Sequence, residues 1–287
     1  MYQVFVCHNP KKLFTPLIYN SPHSGRIYQK SFLNQTSLSL KEIRVSEDFF
    51  VDQLLTSVTD NGSFFLEACF PRSFVDVNRS HNDLDSRLIN KLVFNRMNSR
   101  TAAGLGVIPR VVGDGIEIYS KKLSLDEVNS RLETFYFPYH SQLEKLINLV
   151  IKNFGFAILI DIHSMPHNCL DYLANQKHGA PQIVLGDCLG SSCCPMFSQK
   201  VFDIFVSQGF RVERNSPFSG GFITKHYGEP NKNIQAIQIE IDRSLYMNEK
   251  NFNLHAGFFK LKEKFQNVVR LLSKIKHQKS HSMRAAE

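Results

Sequence analysis

Four polar clusters in this chain follow directly on apolar runs, and they hold the residues best suited to chemistry. Pro22-His23-Ser24-Gly25 comes after Leu17, Ile18 and Tyr19. Asp161-Ile162-His163-Ser164 closes Ala157-Ile158-Leu159-Ile160, the most apolar run in the sequence. Gln238-Ile239-Glu240-Ile241-Asp242-Arg243 ends another such run, and Arg72-Ser73-Phe74-Val75-Asp76-Val77-Asn78-Arg79 follows a third. Two histidines and a carboxylate form a common catalytic shell for Zn²⁺, with a further position left open. The ion lowers the pKa of water and polarises a carbonyl. His23 and His163 are the candidate nitrogen ligands. Glu240 is the best placed second carboxylate, suited to take a proton from water. Arginine grips carboxylates bidentately, so Arg79 with Asn78 suits an acid group of a substrate, and Arg72 suits a developing oxyanion.

Each of these residues also has a plainer role open to it. A histidine at a strand end is commonly a hydrogen-bonded structural residue. Asp161 suits an ion pair, or the orientation of a histidine from behind. Glu240 fits a paired acid at a sheet edge, and residues 76–79 fit a turn with an internal salt bridge. Arg243 suits either a second substrate carboxylate or a structural ion pair. His226, with Tyr227, is expected to line the pocket. Gly220-Gly221 suits a tight turn or a close backbone approach. His140 stands on the longest helical pattern and reads as structural.

The elements that must position these residues alternate between β and α. Residues 48–58 carry Phe50, Leu54, Leu55 and Val58 near helical spacing. Residues 64–68 and 74–77 read as strands. Residues 125–153 form the longest helical pattern, interrupted at Pro138. Residues 157–162, apolar on both faces, fit a central parallel strand. Residues 183–185 and 237–241 read as further strands, and 197–208 and 252–272 as helices. This alternation predicts an α/β three-layer sandwich around a mixed, mostly parallel sheet, whose site lies beyond the carboxyl ends of its strands. No repeat or Pro/Gly linker divides the chain, so a single domain over 1–272 is expected, with a basic tail over 273–287.

Composition narrows the function classes. The chain has 287 residues, 43% hydrophobic and 21% charged, which suits a packed core and excludes disorder as a class. A net charge of +8 invites a nucleic-acid reading, but Lys274, Lys276, Lys279 and Arg284 gather in the last segment. A solvated tail accounts for that run, and no nucleic-acid partner is expected. The six cysteines form no CxxC pair, and the first residues lack the order of a secretory signal. No apolar run approaches a membrane span. A reducing cytoplasm is the expected location.

The strings SPHSGRIY, RSFVDVNRS, DIHSMP, GGFITKHYG and IQIEIDRSLYM run from Ser21 to Met247. In wording and order they resemble the N-formylglutamate amidohydrolase family, which is similar to zinc carboxypeptidases and aspartoacylase-type deacylases. The resemblance implies a phosphorylase/hydrolase-like, zinc carboxypeptidase-like α/β sandwich. It implies that His23 and His163 bind zinc, that Glu240 activates water and protonates the leaving amine, and that Asn78 and Arg79 hold a substrate carboxylate. Arg72 becomes the carbonyl or oxyanion partner. In the carboxypeptidase pattern a ligating Glu follows the first His by three positions, and here that position is Arg26. A third ligand must come from elsewhere, and the acidic stretch 46–52 offers Asp48 ahead of Glu47 or Asp52. That stretch also makes a good helix start. The implied reaction is hydrolysis of an N-acyl acidic amino acid such as N-formylglutamate. Alternatives are a zinc carboxypeptidase or cell-wall amidase acting on short peptides, and a non-catalytic anion-binding protein.

Overall fold

The computed structural model describes residues 3–92, 97–173 and 179–275. Its strands are β1 (Phe5–His8), β2 (Leu17–Ser21), β3 (Phe64–Ala68), β4 (Val111–Val112), β5 (Ile116–Glu117), β6 (Ala157–Met165), β7 (Ile183–Gly186), β8 (Val212–Arg214), β9 (Ile234–Asp242), β10 (Met247–Asn248) and β11 (Asn253–Leu254). Its helices are α1 (Lys30–Leu33), α2 (Leu40–Arg44), α3 (Val51–Leu54), α4 (Ser99–Ala102), α5 (Leu125–Arg131), α6 (Phe137–Phe154), α7 (Pro195–Ser207), α8 (Phe222–Tyr227) and α9 (Gly257–Leu272). Seven strands form one sheet in the order β1-β3-β2-β6-β9-β7-β8. The central strands β3, β2, β6 and β9 run parallel, while β1 and β7 pair antiparallel with β3 and β9. The expected mixed, mostly parallel sheet is what forms.

Side chains on a strand alternate between faces, so the sheet divides the core into two layers. Ile18, Leu159 and Ala236 pack on one face with Leu143, Leu146, Ile147 and Val150 of α6. Tyr19, Ile160 and Ile239 pack on the other with residues of α7 and α9. The same alternation explains the polar ends. Continuing from Leu159, positions 161 and 163 fall on the α6 face, as do 238 and 240 continuing from Ala236. The register aligns Asp161 with Gln238 and His163 with Glu240. Asn20, two residues beyond Ile18, aligns with Asp161 from the opposite side. One face is therefore oily under α6 and becomes polar toward the carboxyl ends of its parallel strands.

Several sequence expectations need correction. Strand β6 does not stop at Ile162 but runs through His163 to Met165, because β9 pairs with it along the full length. Residues 74–77 form no strand, since Asp76 is recruited locally, its carboxylate accepting from the Asn78 backbone N–H. The helix expected over 48–58 shrinks to α3. Phe50 adopts a left-handed conformation at φ 60° and leaves Asp48 outside the helix. Over 125–153, a π turn at Leu132–Tyr136 joins α5 to α6. Pro138 then sits in the first turn of α6, where its missing N–H costs least. At the other end, Ile275 is buried beyond α9. Residues 276–287 of the expected tail lie outside the described residues.

Candidate active site

Three acceptor atoms converge where β2 and β6 end. His23 stands in the turn after β2, and Gly25 lets that turn press against the next segment. A Cβ at position 25 would lie 2.1 Å from the Phe70 carbonyl oxygen. His163 stands on β6, and Asp48 lies between α2 and α3. His163 Nδ1 is 3.1 Å from His23 Nδ1 and 3.0 Å from Asp48 Oδ2, and His23 Nδ1 is 3.4 Å from that same oxygen. Their side chains are at most 3% exposed.

The far side of each ring shows what the near side must be. His23 Nε2 lies 2.7 Å from Asp76 Oδ1, and His163 Nε2 lies 3.0 Å from Asp161 Oδ2. Carboxylates accept, so each Nε2 carries the proton and each Nδ1 turns a lone pair inward. Two lone pairs and a carboxylate oxygen meeting in a buried space repel one another unless a cation lies among them. These donor types and their closeness suit zinc. The charges are mutually set. Burial opposes ionisation of Asp48, but His163 and His23 outweigh it and hold the carboxyl well below its usual range. Burial likewise disfavours the His163 imidazolium, and Asp161 and Asp48 overcome that, raising its pKa well above the ordinary value; the negative field that favours a second proton on Nδ1 would equally favour a metal cation in its place.

A cavity of about 260 Å³ opens beside this cluster, lined by Arg72, Asp76, Arg79, Ser164, Glu240 and Arg243 among others. Glu240 is 7% exposed and receives a hydrogen bond of 2.8 Å from Gln238 Nε2. Burial raises its pKa to about 7, and nearby Asp48 adds to the shift while His163 and Arg72 restrain it. Arg72 donates to Asp76 Oδ2 at 2.8 Å and keeps its side chain 23% exposed on the cavity. A second cavity of about 590 Å³ adjoins the first, sharing Val45, Gly113, Pro166 and Arg243.

Not every expected site residue reaches the cavity. The Asn78 carboxamide is tied up internally, accepting from the Ile223 N–H at 2.8 Å and lying 3.3 Å from His163 Nε2. Gly221 permits this, because a Cβ there would lie 2.2 Å from the amide nitrogen. His226 is exposed on α8, stacked on Phe222, and does not line the cavity, because the helix turns Tyr227 inward instead. Arg79 lines the cavity, but its Nε and one terminal nitrogen donate to the Leu105 and Asn78 carbonyls. Arg243 donates to Asp48 Oδ1 at 3.2 Å, to Ser164 Oγ at 3.1 Å and to the Val45 carbonyl. Of the other acids in the 46–52 stretch, Glu47 pairs with Arg44 and Tyr28, and Asp52 pairs with Arg26. The contributions of Asp76 and Asn20 were hidden from sequence reading. The only local signal at Asn20 is a polar residue in phase with buried Ile18.

Comparison with known proteins supports the family resemblance. The family model for N-formylglutamate amidohydrolase matches residues 15–247. The chain is 29% identical over 240 residues to N-formylglutamate deformylase of Pseudomonas putida, covering 82% of each chain. It is 26% identical over 238 residues to the protein of that name from Pseudomonas aeruginosa, covering 82% of this chain and 83% of the other. A crystal structure of N-formylglutamate amidohydrolase from Ralstonia eutropha JMP134 superposes with a TM-score of 0.88 at 30% identity, covering 94% of this chain and 97% of that one. With the motifs, the fold and a family match over most of its length, the chain belongs to the N-formylglutamate amidohydrolase family, a family of hydrolases.

Proposed function

We propose that this chain is a zinc-dependent hydrolase of N-formyl acidic amino acids, with N-formylglutamate as the first substrate to try. The observation that carries the reading is the convergence of His23 Nδ1, His163 Nδ1 and Asp48 Oδ2 beside an arginine-lined cavity containing Glu240. The names of the relatives supply the substrate. His23, Asp48 and His163 would hold the zinc, which when bound supplies Lewis acidity and an easily deprotonated water.

The protein groups account for the remaining steps. Water adds to the formyl carbon, and Glu240 takes its proton. The same carboxyl then delivers that proton to the amide nitrogen as the C–N bond breaks, leaving formate and the free amino acid. Arg72 faces the carbonyl oxygen as negative charge develops there, with Asp76 fixing its guanidinium. Arg79 offers its remaining N–H groups to a substrate carboxylate. Arg243 contributes its charge while holding Asp48, so its substrate-binding part is secondary. A cavity of about 260 Å³ suits one acyl amino acid.

A second reading, hydrolysis of an acyl amino acid with a peptide-like extension, is favoured by the adjoining larger cavity. Metal analysis and formylglutamate turnover test the main reading, on wild type and His163→Ala. About one zinc per chain, lost with activity in the variant, is expected. Turnover surviving complete removal of metal would refute it. Turnover of formyl dipeptides but not of formylglutamate would favour the second reading.

A further inference from the structure

The reaction leaves one buried polar assembly without a task. Tyr139 lies on the α6 stripe beneath the sheet, and its hydroxyl donates to Asn20 Oδ1 at 2.5 Å. Asn20 Nδ2 donates to Asp161 Oδ1 at 2.7 Å, and Asp161 Oδ2 meets His163 Nε2 at 3.0 Å. Tyr139, Asn20 and Asp161 are each 0% exposed. Polar groups removed so fully from water are costly unless every one is paired, and a phenylalanine and a leucine would fill the same space without that cost.

The order of donors gives the assembly a direction. An asparagine amide can turn over, exchanging oxygen for nitrogen at almost no change in shape. The Asp161 carboxylate can only accept, so the NH₂ group must face it, and the Tyr139 hydroxyl satisfies the carbonyl oxygen that then points the other way. Asp161 is thereby fixed through one oxygen and presents the other to the His163 N–H. Without the hydroxyl, Asn20 Oδ1 is left buried with no donor, a cost that loosens the grip of the amide on Asp161. The support behind His23 is built differently. Asp76 is held by Arg72, whose guanidinium opens on the cavity and is available to substrate. The support behind His163 is closed off in the core.

We infer that Tyr139 and Asn20 are positioning residues for the metal: through Asp161 they keep His163 in the form that carries its proton on Nε2 and aims Nδ1 at the ion. This rests on the reading of His23, Asp48 and His163 as zinc ligands.

The test is the zinc dissociation constant, measured by competition with a chromogenic chelator, for wild type, Tyr139→Phe, Asn20→Ala and Tyr119→Phe. Tyr119 is the control, a buried tyrosine whose hydroxyl accepts from Arg131 and takes no part in the Tyr139–Asn20–Asp161 chain. Outer partners of metal ligands characteristically matter by about ten- to a hundred-fold in affinity. Tyr139→Phe is expected near the lower figure and Asn20→Ala near the upper, with KM on zinc-saturated enzyme unchanged. Tyr119→Phe should bind zinc as wild type does. The inference is overturned if Tyr139→Phe stays within about two-fold of wild type, or if Tyr119→Phe weakens binding equally. Should Asn20→Ala not fold, Tyr139→Phe decides alone. A wild type that binds no zinc overturns the ligand reading and this inference together. Because no substrate is needed, failure to turn over formylglutamate counts against the substrate alone.

Discussion

Glu240 and His163 lie side by side across the β6–β9 register, and their fields act on each other. In the proposed reaction the glutamate carries the proton, so Glu240→Gln, which keeps shape and removes basicity, is expected to lower kcat by about 10²- to 10⁴-fold. Zinc content should stay at the wild-type level, and equal loss of zinc would assign Glu240 to metal binding instead. His140 provides a pH prediction away from the ligands. It is buried between Tyr227, whose hydroxyl lies 2.8 Å from Nδ1, and the Val77 carbonyl at 3.0 Å from Nε2. Burial lowers its pKa from 6.5 to about 4. The unfolded chain therefore takes up a proton near pH 6.5, while the folded protein resists until about pH 4. This contribution is fully present above pH 6.5 and falls with pH through that window, by about 2 kcal/mol at pH 5. Groups with raised pKa such as Glu240 and His163 act in the opposite sense and are common to both proteins, so between pH 7 and pH 5 wild type should lose about 2 kcal/mol more in denaturant unfolding than His140→Gln. An identical slope in both would place the pH dependence elsewhere.

At the scale of elements, the site depends on turns whose shape is set by contacts outside them. The turn holding His23 packs on the Phe70 backbone, which unlike a flexible side chain has little room to give way. Gly25→Ala is expected to destabilise the protein by about 1–3 kcal/mol, the range for overpacking, and to weaken zinc binding because His23 moves with the turn. Thermal unfolding and zinc titration check both effects, and a variant matching wild type in both would mean the turn yields freely. The apolar end of β6 serves the same site from beneath. Leu159, fully buried, packs under α6 on the face that carries Asp161 and His163 further along. Leu159→Ala should cost about 2–5 kcal/mol in denaturant unfolding while the folded fraction still binds zinc.

Over the whole molecule, the proposed ligands come from three separate stretches of chain, so an ion among them would tie the parallel strands to the segment between α2 and α3. A ligand that binds only the folded state stabilises it by mass action, by about 2.7 kcal/mol at a hundred times its dissociation constant. Unfolding of metal-stripped protein should shift upward with added zinc, and the shift should vanish in His163→Ala. A shift of equal size in that variant would place the ion elsewhere. Among the described residues no helix is long and apolar enough to cross a membrane.

The sequence by itself determined the residue types and their phase: histidines, carboxylates and arginines at the ends of apolar runs, and a β–α alternation that accounts for the mixed sheet. These were legible because strand period and hydrophobic runs are local properties of a chain. Even so, locality misled over 74–77 and 48–58, where a side-chain hydrogen bond at Asp76 and a left-handed Phe50 override propensity. Only the tertiary structure brought Asp48, and not Glu47 or Asp52, beside the two histidines, turned Asn78 inward and His226 outward, and drew Arg243 to Asp48. Those outcomes depend on pairings between residues 115 apart for Asp48 and His163, 141 for Asn20 and Asp161, and 195 for Asp48 and Arg243. Strand register and burial create such pairings, and neither is written in the spacing of neighbours along the chain.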